Sequence, residues 1–233
     1  MTEEEKRLQE TRESKVPLTR AGLTTPRAAA IAGIAFSILF IISVVLIRIS
    51  VPANPQDAGM WLSGGWKTVS LALHLLPFAG IAFLWFIGVL RDRMGAYEDR
   101  FFATVFLGSG LLFLAMLFAS AAVAGGIIMV YGATPGKLME SGTYNFGRTI
   151  AYHIMNVYAV KMAGVFMIST CTLSIRTGIF PRWMAFLGYM LALLLLLSIG
   201  YFNWAMLVLP LWVLLISVHI LLANLKFKPA SNS

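Results

Sequence analysis

Carboxylates are scarce in this chain and missing from its long apolar runs. The 233 residues include ten acidic ones: Glu3, Glu4, Glu5, Glu10, Glu13, Asp57, Asp92, Glu98, Asp99 and Glu140. None falls inside a stretch apolar enough to span a bilayer. That argues against a buried counter-ion of the retinal-protein kind and against carboxylate-driven proton or sodium coupling. It also argues against a di-metal carboxylate centre in a helical bundle. A single cysteine, Cys171, excludes an internal disulfide and a zinc site built on cysteine pairs. Charged residues make up only 12% of the chain, about half the share that covers a soluble domain. Basic runs interleaved with aromatics are missing too, so no nucleic acid is expected as a partner. Neither a phosphate loop nor a nucleophile elbow occurs, and no catalytic residue is assigned.

What is present is hydrophobic length. Residues of apolar type are 59% of the chain, and charges divide them into runs of bilayer-spanning size, about 20 residues each. The runs are 28–47, 69–90, 101–131, 149–175, 183–199 and 204–225. The third exceeds the bilayer and should tilt or protrude. The last two come from one uncharged stretch, Trp183 to Leu225, which as a single helix would be about 65 Å long. It must turn, and Gly200, Tyr201, Phe202, Asn203 and Trp204 supply the break. The expected fold is all-α: a polytopic membrane protein with six transmembrane helices in a bundle over residues 26–225, and the lipid bilayer as its first partner.

Lysine and arginine orient the bundle. With both termini inside, the inner segments hold most of the basic residues. The outer segments hold only Arg48, Lys67, Lys137 and Arg148. That asymmetry fits an even number of spans, a cytoplasmic leader over 1–25 rich in Glu, Lys and Arg and expected to be disordered, and a cytoplasmic tail over 226–233. Small residues such as Ala29/Gly33 and Ala121/Gly125 allow close helix approach. Packing within the chain uses such pairs first; a homo-oligomer or partner membrane subunits are also compatible with them.

Chemistry concentrates in the fourth run. Lys161 stands near its middle, where a charge costs about 2.5–3.5 kcal/mol on insertion scales. At 100° per residue, His153, Val157, Val160, Gly164 and Cys171 share a face. Asn156 lies about 60° to one side of it and Lys161 about 80° to the other. Three roles for Lys161 follow: a neutral nucleophile or base, a charged holder of an anionic or carbonyl-bearing ligand, or a structural cation bound to backbone carbonyls, hydroxyls or water at a helix break. His74 and His153 enter on the outer side, each near the start of its helix. Two histidines on separate helices could also ligate haem or a metal; no other cofactor is expected. His219 reads as an interface residue. Pro77 and Pro210 are kinks or hinges. The outer segment Gly132 to Arg148, with Pro135, Gly136, Gly142 and Gly147, reads as a loop that caps a pocket.

The stretch His74-Leu-Leu-Pro-Phe-Ala-Gly through Arg91-Asp-Arg, and the stretch Gly178-Ile-Phe-Pro-Arg-Trp-Met-Ala-Phe-Leu-Gly188, resemble uncharacterised six-helix membrane proteins of bacteria. The resemblance covers about half the chain. It implies a bacterial inner-membrane location and a six-helix fold, and supplies no activity or site residues. Three functions are carried forward. The first is handling, by transport or sensing, of a small lipophilic or anionic ligand in a pocket around Lys161, with Asn156, His153 and His74 as candidate ligand-binding residues. The second is a redox protein with haem between His74 and His153. The third is a structural or accessory subunit.

Overall fold

A computed structural model describes residues 21–52, 59–94, 100–140, 142–198 and 204–226. The expected leader lies almost wholly outside the described residues, as does nearly all of the tail. Gly200 to Asn203 of the expected break lie outside them too. Among the described residues every regular element is helical. The helices are α1 (Ala21–Ser50), α2 (Trp61–Gly64), α3 (Trp66–Met94), α4 (Arg100–Ala133), α5 (Pro135–Glu140), α6 (Thr143–His153), α7 (Val160–Thr177), α8 (Arg182–Leu197) and α9 (Val208–Lys226). A π-helical segment, Ile154–Ala159, joins α6 to α7 without a turn, and a 3-10 turn, Ala205–Leu207, leads into α9.

Among the described residues, five helices are long and apolar enough to cross a membrane: Arg27–Ser50, Trp66–Arg91, Ala103–Ala133, Thr143–Thr177 and Ala205–Ala223. The fifth apolar run, expected over 183–199, forms α8, which has 16 residues. At 1.5 Å per residue it is about 24 Å long, shorter than a hydrocarbon core of ~30 Å. It stops because Ser198 turns to an extended conformation, ψ 121°.

The bundle follows chain order. α1 packs on α3, α3 on α4, α4 on α7, α7 on α8, and α9 returns to α1. Phenylalanines fill the centre. Phe83 lies 4.5 Å from Phe36, 5.1 Å from Phe166 and 5.4 Å from Phe113, ring centre to ring centre. In lipid such burial gives van der Waals packing and shape more than a hydrophobic driving force. Close approach occurs where a Cβ is missing. At Gly33 a side chain would overlap the Ser217 hydroxyl of α9 and the ring of Phe86. Ala29 and Gly33 are both buried, so this small-residue pair serves packing within the chain.

The segment read as a capping loop is helical instead, forming α5 and the start of α6. Gly142 makes the turn between them at φ 69°, where a side chain would be strained. Leu138 and Tyr144 are buried there against Leu62 and Ile127 in a small second core, and the Trp61 indole donates to the Tyr144 hydroxyl at 2.8 Å. Hydropathy alone cannot see α6, because it is amphipathic rather than apolar.

Candidate functional site

α6 and the π segment set the geometry of the site. In a π segment the backbone bond runs i→i+5, so the 100° spacing assumed for an α-helix fails across Ile154–Ala159. The common face expected for His153 and Val160 is therefore broken. His153 is exposed, whereas Asn156, Val160, Gly164 and Cys171 are buried. Asn156 is only 7% exposed, and its Nδ2 donates to the Tyr152 carbonyl at 3.0 Å. This adds a donor in the turn where the backbone register slips.

A cavity of about 740 Å³ opens between α1, α3, α4, α6 and the π segment. That size is within the range of small-molecule sites, ~300–1,000 Å³. Its floor is apolar and buried: Val44, Val69, Leu76 and Leu117 are each less than 5% exposed. Its rim is polar and more open, with Arg48, Asn145, Arg148, Thr149 and His153. Ser120 also borders it and donates to the Ala151 carbonyl at 2.8 Å, tying α4 to α6. Arg148 is held by its Nη2, which donates to the Pro52 carbonyl at 2.8 Å. Among the described residues, the lining contains two guanidinium groups and no carboxylate.

The structure brings together only part of the sequence-read site. Asn156 and His153 border the cavity; His74 and Lys161 do not. His74 Nδ1 donates to the Ser70 carbonyl at 2.6 Å, and His153 Nδ1 to the Thr149 carbonyl at 3.1 Å. Each bond leaves Nε2 as the coordinating atom, but only His153 borders the cavity. Among the described residues no group of three or more His, Cys, Asp or Glu could hold a metal ion. Haem between His74 and His153 therefore has no support in the geometry.

The cavity runs towards Arg48 and Arg148, and Lys161 does not border it. The reason is where the lysine points. Its Nζ donates to the carbonyls of Leu196 and Ser198, at the end of α8. The last carbonyls of a helix lack partners within it, and water cannot supply them inside a bilayer. A cation there also suits the negative end of the helix dipole. Lys161 thus closes a helix that ends short.

Sequence reasoning missed Arg48 and Arg148 as site residues and counted them only for orientation. One signal was available: both stand at ends of apolar runs. No family model matches the chain, and comparison with curated proteins and with solved structures finds no match.

Proposed function

We propose that this chain is a six-span protein of a bacterial inner membrane, both termini cytoplasmic, that binds a small anionic amphiphile at its outer face. The carrying observation is the cavity, with two arginines above an apolar floor and no carboxylate among its described lining residues. A ligand with a phosphate or carboxylate head and a short alkyl body complements both parts. Charge-assisted bonds from guanidinium fix the head, and the floor takes the chain at about 0.8 kcal/mol per buried methylene. α8 is the fifth of the six spans, its last carbonyls met by Lys161. The His74/His153 haem reading is not carried further.

Trp61 borders the cavity and so reports on it. The test places the protein in nanodiscs of zwitterionic lipid and titrates 8-bromooctyl phosphate, whose bromine quenches indole fluorescence. Saturable quenching that Trp61→Phe abolishes is expected. The matched trimethylammonium compound should need at least tenfold higher concentration. Equal quenching by anion and cation, or quenching that never saturates, would overturn the reading.

A further inference from the structure

The cavity ends on two methionines rather than on a rigid floor. Met155 and Met206 border it, and they also border a second, smaller space of about 10 Å³ on its inner side. Every other residue around that space is buried, among them Phe40, Phe113, Ala159, Ala163 and Leu209. A space this small and apolar is at the threshold for a single water and stays dry. The two thioether side chains are thus the partition between an amphiphile-sized cavity and the centre of the bundle.

Both partition residues sit on departures from α-helical geometry. Met155 belongs to the π segment Ile154–Ala159, and Met206 to the 3-10 turn Ala205–Leu207. Both side chains are half-buried. Methionine is unbranched and polarisable, with three rotatable bonds, and adapts to irregular apolar space. Ala159 and Ala163 behind it leave room that larger residues would fill.

We infer that Met155 and Met206 form a movable end wall that sets the alkyl chain length the cavity accepts. This rests on the proposed anionic-amphiphile function. A chain that reaches the wall stops there; removing either methionine side chain beyond Cβ joins the inner space to the cavity and admits a longer chain.

The experiment displaces 8-bromooctyl phosphate with n-alkyl phosphates of six to fourteen carbons, in the same nanodiscs. In the parent, affinity should rise about fourfold per methylene, the equivalent of burying each CH₂, and then stop rising at a definite length. In Met155→Ala and in Met206→Ala that break should move out by two or three carbons. Adding Ala163→Leu to Met206→Ala should return it towards the parental length. Met206→Val, a smaller change, should shift it by about one carbon and guards against loss of folding in the alanine variants. If the break stays at the parental length in every folded variant while alkyl phosphates still bind, the end wall is refuted and the binding reading stands. If no alkyl phosphate displaces the probe from the parent, both fall.

Discussion

Arg148 and Lys161 lie on one continuous run of helix, on opposite sides of the π segment. Each donates to backbone carbonyls of a different part of the chain: Arg148 to Pro52, Lys161 to Leu196 and Ser198. One of them borders a large cavity and the other does not. The difference teaches that a cation in an apolar sequence is not by itself a site. What decides is whether space remains beside it once its structural partner is satisfied. Donor capacity contributes. A guanidinium has five N–H donors in a planar fork and an ammonium has three on a point. An arginine can therefore serve a carbonyl and a ligand together, while a lysine that caps a helix end is largely occupied.

The strongest way to break this contrast is Lys161→Met. It strands two carbonyls at the end of α8, and each unmet buried acceptor costs about 1–3 kcal/mol. Stability should fall by about 2–4 kcal/mol, read from chemical unfolding in detergent, with affinity for bromooctyl phosphate changed less than about twofold. A folded variant that loses ten times its affinity would make Lys161 a ligand residue after all. Arg148→Gln should do the reverse. Affinity should drop about 10- to 100-fold, the worth of a hydrogen bond to a charged group, while unfolding shifts by less than ~1 kcal/mol. Asn156→Leu should have a smaller effect, about 1 kcal/mol of stability through the lost bond to Tyr152. It sharpens the comparison by asking whether the π segment transmits anything between the two sites. Unchanged affinity in that variant means that it does not. The smallest expected effect is that of salt. Raising ionic strength from 50 to 500 mM should weaken anion binding by about two- to threefold, since the rim is only partly buried, and leave the Lys161 contribution to unfolding intact.

The long apolar helices were readable because run length and charge punctuation mark them directly in the sequence. The third run, expected over 101–131, is observed as Arg100–Ala133. The fourth begins earlier than expected, at Thr143, because the amphipathic α6 carries polar residues that hydropathy discounts. The π segment left no trace in the sequence: Ile154 to Ala159 contains neither proline nor glycine, so nothing warned that the 100° spacing would fail there. The oddity of Lys161 was legible, and carbonyls at a helix break were among its expected partners, but not which carbonyls. Backbone carbonyls accept hydrogen bonds without any residue-type signature. The convergence of Arg48 and Arg148 on one cavity was equally hidden, because a single sequence carries no record of contacts between distant positions.

The contact between Gly33 of α1 and Ser217 of α9 also fixes an order of events. These two surfaces meet only after roughly 180 residues of further synthesis, on the order of ten to forty seconds at ~5–20 residues per second. Lys161 needs only the next helix to find its carbonyls, so the α7–α8 hairpin can be sealed while the bundle is still open. The face of α1 at Gly33 must wait for the last helix to be covered. A ribosome stalled before α9 would therefore hold a chain whose α1 is packed on α3 but still lacks the partner that covers Gly33.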